Sequence, residues 1–192
     1  LGHNNTTKYS SPVQIPGTTW QYADYKFDAS NASDNEDAFA GGVKTDGTLW
    51  CWGFNSYGEL GQNNKTHYSS PVQVGSDTTW RTCSLGGHTV GATKTDGTAW
   101  VWGRNERGQL GQNQATGALA AASSPVQLPG TNWNKLVMVE RHPFAIKTDG
   151  TFWSWGNSYF GDTGTNIAYP GTYQLSSPVQ IPGTAWKNLP QG

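Results

Sequence analysis

The sequence predicts an all-β fold, a β-propeller of four-stranded blades, on three observations: a long internal repeat, Asp-Gly turn signals at fixed places within it, and strands apolar on both faces. The block TDGTLWCWG at 45–53 returns as TDGTAWVWG at 95–103 and as TDGTFWSWG at 148–156. A second block, SSPVQIPGT at 10–18, returns as SSPVQVGSD at 69–77, SSPVQLPGT at 123–131 and SSPVQIPGT at 176–184. Between them stand GELGQN at 58–63, GQLGQN at 108–113 and a divergent copy, GDTGTN, at 161–166.

Each repeat reads as four strands. A PVQI-type segment gives a short one, and the stretch after each GTxW, such as WNKLVMV from Trp133, gives a second. FAIKT from Phe144 gives a third and TFWSWG from Thr151 a fourth. The last two are joined by Asp-Gly (Asp46-Gly47, Asp96-Gly97, Asp149-Gly150), a hairpin signal because the turn needs positive φ that glycine supplies freely. In the WxW strand, Trp100 and Trp102 point to one side and Ala99 and Val101 to the other, so both sides need a cover. Stacked blades provide it. All 10 tryptophans fall on repeat positions, six in WxW strands and four (Trp20, Trp80, Trp133, Trp186) in the GTxW slot, which marks them as inter-blade core. Gly53, Gly103 and Gly156 read as turn chemistry, as do Asn55 and Asn105.

The strand count gives a single propeller segment, 1–192, with repeats at approximately 1–59, 60–109, 110–163 and an incomplete 164–192. About three and a half blades leave strand edges and apolar faces open, so a further cover is expected, from more blades of a longer chain or from a second copy in a homodimer. The longer chain is preferred.

Composition excludes several classes. A net charge of -1 with 12 scattered Lys and Arg residues gives no basic face for nucleic acid. No apolar run reaches the ~18 residues of a membrane span. Cys51 and Cys83 occupy apolar or small-residue slots and read as free packed thiols. His3, His67, His88 and His142 lack metal-ligand spacing. Asp34, Glu36 and Asp37 form an acidic cluster that matches no calcium loop. No phosphate loop, dinucleotide fingerprint or nucleophile elbow is present, so no catalytic, metal or cofactor residue is assigned. The Asn-x-Ser/Thr matches at Asn4, Asn5, Asn31 and Asn64 are chance in a Thr-rich chain.

WGFNSYGELG at 52–61 and WGRNERGQLG at 102–111, each preceded by DGTxW, resemble the signature of the regulator of chromosome condensation repeat, and GGHTVGATKTDG at 86–97 is similar to the same family's preceding segment. The resemblance implies a propeller, commonly of seven blades, and makes His88 an ordinary repeat position with a structural hydrogen bond. Family activities such as nucleotide exchange on a small GTPase, chromatin binding or β-lactamase inhibition reside in loops outside the signature, so no residue carries over. DASNASDNEDAFAGGV around 28–43, VERHPFAI at 139–146 and the lost last LG depart from the pattern. The SSPVQIPGT punctuation also resembles repeat proteins of environmental bacteria and their phages, which implies a surface or virion role.

The frame is constant but the connections are not, and recognition belongs on the latter. Candidate contact segments are Tyr22 to Asp37, Asn63 to Tyr68, Gln114 to Ala121 and Asn166 to Tyr173, and candidate protein-contact residues are Tyr57, Arg104, Arg107, Tyr68, Tyr169 and Tyr173. The expected function is a non-enzymatic structural or adhesive surface component, of a virion or cell-surface assembly, placed outside the cell rather than in the cytoplasm. The alternative is a soluble regulatory propeller that binds a protein across one face, as an exchange factor or inhibitor does.

Overall fold

Among the described residues twelve strands form in chain order, and the Asp-Gly turns together with the WxW pattern decide how they pair. In the computed structural model, residues 2–5, 7, 10–26, 38–114, 120–166 and 174–187 are described. β1 (Trp20–Lys26), β2 (Phe39–Lys44), β3 (Leu49–Gly53) and β4 (Tyr68–Gln73) make the first antiparallel sheet in that order. β5 (Trp80–Gly86), β6 (Thr89–Lys94), β7 (Ala99–Arg104) and β8 (Ala121–Gln127) make the second. β9 (Trp133–Val137), β10 (Phe144–Lys147), β11 (Phe152–Asn157) and β12 (Gln174–Ile181) make the third. The all-β propeller segment expected from the sequence is therefore present, with each SSPVQ segment pairing as an outer strand with the WxW strand before it. The first copy differs. Pro12–Ile15 form no strand.

The Asp-Gly-Thr-x-Trp pattern is one hydrogen-bonded unit. Asp46 Oδ1 accepts from the Thr48 amide (3.0 Å) and hydroxyl (2.6 Å), and Trp50 Nε1 donates to Thr48 Oγ1 (2.8 Å). Asp96–Thr98–Trp100 and Asp149–Thr151–Trp153 repeat it. These bonds favour the carboxylate over the acid and hold Asp46, Asp96 and Asp149 below the usual carboxylate range, with Thr48, Thr98 and Thr151 as the main cause. Folded-state pKa values below the unfolded ones contribute stability that is full above the unfolded carboxylate pKa and is lost as pH falls through the folded value. The triple variant Asp46→Asn, Asp96→Asn, Asp149→Asn is expected to lose stability at neutral pH and to show a flatter acid limb in urea titrations from pH 7 to 2.

Consecutive sheets are joined at equivalent positions. Trp102 Nε1 donates to the Glu59 carbonyl and Trp155 Nε1 to the Gln109 carbonyl, each at 2.7 Å and each across a sheet boundary. Asn4, Asn63 and Asn113 donate backbone N–H to the Ser69, Ser123 and Ser176 carbonyls, and Trp80, Trp133 and Trp186 donate theirs to Gly47, Gly97 and Gly150. Asp24 Oδ2 accepts from the Leu85 amide, and Ser84 Oγ accepts from the Met138 amide at the equivalent place. The apolar counterpart is knob and hole. Leu85 sits over Gly41, and Leu136 and Met138 sit over Gly91, where a β-carbon on the glycine would collide with Met138 Sδ. In the third sheet the same register position holds Phe144, which faces Ser154 as Gly41 faces Cys51 and Gly91 faces Val101. Each sheet also holds a lysine ammonium between two indoles: Lys44 over Trp20 and Trp50, Lys94 over Trp80 and Trp100, Lys147 over Trp133 and Trp153.

Cys51 and Cys83 are free and buried in this inter-sheet core, as the sequence suggests. Burial pushes the Cys51 thiol up to about 12 and the Cys83 thiol well above its ordinary value. Since the thiolate is the reactive form, both are expected to resist a disulfide reagent such as dithionitrobenzoate at pH 8 until denaturant opens the sheets, with two thiols then titrating.

Candidate protein-contact surface

Antiparallel pairing separates the two ends of every sheet. The Asp-Gly hairpins and the links into the next GTxW lie at one end; the β1–β2 and β3–β4 connections and their repeats leave from the other. The first end repeats the same Asp–Thr–Trp–Lys arrangement three times. The second end carries the WGxNxxGxLG turns, whose frame is constant and whose tips differ.

The frame is polar and buried. Asn55 Oδ1 accepts from the Leu60 amide and Asn105 Oδ1 from the Leu110 amide, both at 2.9 Å. In the divergent third turn, Ser158 Oγ and Thr163 Oγ1 share a hydrogen bond of 2.6 Å instead. Glu59 Oε2 accepts from the Tyr57 amide and Gln109 Oε1 from the Arg107 amide. The glycines Gly53, Gly103 and Gly156, at φ 107, 96 and 89, let the chain turn against the preceding hairpin.

At the first sheet boundary this frame gathers an aromatic and ionisable cluster. Glu59 Oε1 meets His88 Nδ1 at 3.0 Å with both side chains buried. The His88 ring lies 4.9 Å from Tyr57 and 5.4 Å from Phe54, and Phe54 stacks on His67 at 5.1 Å. Arg104 lies over the Tyr57 ring at 4.8 Å and bonds Glu106 at 2.5 Å. Of the residues expected from the sequence, Tyr57 and Arg104 are thus in direct contact and half-buried. Tyr68 begins β4, half-buried, with its hydroxyl 3.5 Å from Asn64 Nδ2. Arg107, half-buried, occupies in the second turn the tip position that Tyr57 holds in the first. Tyr169 and Tyr173, the acidic cluster Asp34, Glu36 and Asp37, and much of the segments Tyr22 to Asp37, Gln114 to Ala121 and Asn166 to Tyr173 lie outside the described residues.

Sequence reasoning missed three residues here. Phe160, the third tip, is 84% exposed, and Tyr159 beside it is 39% exposed, their rings 4.8 Å apart and edge-on. Val139, in the turn between β9 and β10, is 36% exposed. The signal was available: aligning WGNSYFG at 155–161 with the two better copies puts Phe160 in the slot of Tyr57 and Arg107. His142 does not repeat His88. The Arg141 carbonyl accepts from Asn157 as that of His88 accepts from Arg104, so Arg141 is the equivalent residue. His142 instead places Nδ1 2.6 Å from the Asn157 carbonyl and Nε2 3.5 Å from Asp162. Among the described residues no three His, Cys, Asp or Glu side chains group as metal ligands, and no helix is long and apolar enough to cross a membrane.

The family described as Regulator of chromosome condensation (RCC1) repeat matches residues 46–92 and 96–140. Among solved structures, human WBSCR16 superposes with a TM-score of 0.64 and 19% identity over 75% of this chain and 35% of that one. Prp20p from Saccharomyces cerevisiae, studied for its binding to Gsp1p and histones, gives 0.65 and 20% over 77% and 37%. Yeast RCC1 (Prp20) bound to Kap60 gives 0.64 and 20% over 77% and 36%. The chain spans about a third of the length of these structures, and at such identities the likeness is one of fold. A comparison with curated proteins returns no match. The chain thus carries two repeats of the regulator of chromosome condensation type, and its three consecutive four-stranded sheets fold as a segment of a β-propeller.

Proposed function

We propose that the chain is a non-enzymatic protein-binding propeller segment whose contact surface is the turn-bearing end of the sheets. One observation carries this reading: the two ends share one scaffold, yet the hairpin end repeats one Asp–Thr–Trp–Lys arrangement in all three sheets while the turn tips are Tyr57, Arg107 and Phe160. A structural constraint repeats with the structure. A recognition surface is free to vary on it, and Tyr, Phe and Arg are the side chains that anchor interfaces. Two matched structures are of proteins described as binding proteins, Gsp1p and histones in one case and Kap60 in the other, which supports the regulatory reading over the surface or virion role expected from the sequence.

The test is photocrosslinking in an extract of the source organism, with benzoylphenylalanine placed at Tyr57 or Phe160 at the turn end, and at Thr78 at the hairpin end. Discrete protein adducts from the first two and none from Thr78 are expected. Adducts from Thr78 alone, or equally from both ends, would overturn the assignment.

A further inference from the structure

The two sheet boundaries use the same positions for different chemistry. At the first, the tip residue Tyr57, the carboxyl of Glu59 and the ring of His88 close on one another, so the two ionisable side chains are hydrogen-bonded to each other and buried. At the second, the equivalent three residues are Arg107, Gln109 and Arg141. The carboxylate has become a neutral amide, already used by the Arg107 backbone at 2.6 Å, while the other two positions have become cations. Two guanidiniums therefore occupy positions that the first boundary fills with a phenol and an imidazole, without the acid that stands between them there.

The surrounding charges leave that excess in place. Among the described residues neither Arg107 nor Arg141 forms an ion pair. Glu106 is the nearby acid, and it is committed to Arg104; its carboxyl is held below the usual range chiefly by that hydrogen bond, with Arg107 and Arg141 adding to the pull. Glu140 lies against Gly87 of the preceding sheet, and Asp162 faces His142. Beside the two arginines, the third turn presents Tyr159 and Phe160, and Val139 stands in the turn that hydrogen-bonds to it through Arg141 and His142. A phenylalanine ring left 84% in water forgoes the stabilisation its burial would bring, and exposed aromatics next to cations are the composition of an interface anchor.

We propose that the junction of the second and third sheets docks an acidic protein segment, its carboxylates paired with Arg107 and Arg141 and an apolar side chain seated on Tyr159 and Phe160. This rests on the reading of the turn end as a protein-contact surface and adds the chemistry of the partner. Arginine forks match carboxylates in planar, two-bonded pairs, and adjacent sheets about 10 Å apart place charge and anchor roughly three to five residues apart along an extended segment.

The probe is a random 12-residue peptide library displayed on phage and selected against the full chain. Enriched sequences are expected to carry Asp or Glu pairs three to five residues from Phe, Trp or Leu. A selected peptide should bind at least tenfold more weakly to Phe160→Ala and to Arg107→Glu/Arg141→Glu, both with unchanged far-ultraviolet circular dichroism. Selection repeated on the double charge-reversal chain should enrich Lys and Arg instead, an outcome that a merely damaged fold cannot produce. Enrichment of basic or uncharged peptides on the native chain, no enrichment, or binding indifferent to these substitutions would overturn the proposal. Turn-end photocrosslinks that persist in that case would leave the broader contact assignment standing, so the two fail separately.

Discussion

Trp102→Ala is expected to destabilise the chain by about 3–5 kcal/mol, the range for deleting a fully buried aromatic side chain. Trp102 is 0% exposed, lies 6.3 Å from Trp80, and donates its indole N–H to the Glu59 carbonyl of the preceding sheet. Its removal leaves a cavity at a sheet boundary and an orphaned acceptor beside the buried Glu59 carboxylate. Trp186 provides the internal comparison. It sits in the repeat position of Trp80 and Trp133 but is 44% exposed and touches Phe152, so Trp186→Ala is expected to cost about 1 kcal/mol. Urea unfolding of the two variants, followed by circular dichroism, should show a large loss for the first and a small one for the second. Equal losses would mean that the indoles do not owe their contribution to a neighbouring sheet.

Gly103→Ala is expected to cost about 4 kcal/mol, near the upper end for single substitutions. The cause is local and twofold. Gly103 holds φ at 96°, a backbone shape that L side chains rarely adopt, and a β-carbon there would lie 2.3 Å from the His88 carbonyl oxygen and 3.0 Å from Thr89 Cα, both main chain. Gly75 separates the two causes. It has φ 62 with nothing within 4 Å of the added carbon, so Gly75→Ala is expected to cost only the left-handed penalty, about 1 kcal/mol. The same denaturation series reads the pair, and a Gly103→Ala loss no larger than that of Gly75→Ala would show that the turn can move away from the preceding hairpin.

Much of the architecture was legible in the sequence because it is carried by short-range chemistry. Asp-Gly-Thr-x-Trp closes a hairpin using its own side chains, as the Asp96–Thr98–Trp100 bonds show, and any sequence that repeats it repeats the hairpin. Two-sided apolarity in the WxW strand likewise demands a neighbour on each side, and Val101 and Trp102 are both 0% exposed. What the sequence left open depends on which copy meets which. Pro12–Ile15 repeat the PVQI of β12 residue for residue, yet lie outside any sheet, so the residues alone do not decide whether that strand forms. Of the candidate contact surface, Tyr57, Arg104, Arg107 and Tyr68 could be named from the sequence, the first three because their turns keep the full signature. Phe160 was overlooked because its turn replaces the buried Asn and Leu with Ser158 and Thr163, a different hydrogen-bond solution to the same bend. The pairing of Glu59 with His88 joins residues 29 apart on different sheets and has no local trace.

The central claim is that consecutive sheets stack with the WxW indoles sealed between them and bonded to the carbonyls of the sheet before. Hydrogen exchange of the indole N–H protons, resolved by nuclear magnetic resonance, tests it most directly. Trp102 and Trp155 should exchange roughly a thousandfold more slowly than Trp186, since their release requires the sheets to part. Exchange of Trp102 and Trp155 as fast as Trp186 under native conditions would contradict the stacked arrangement.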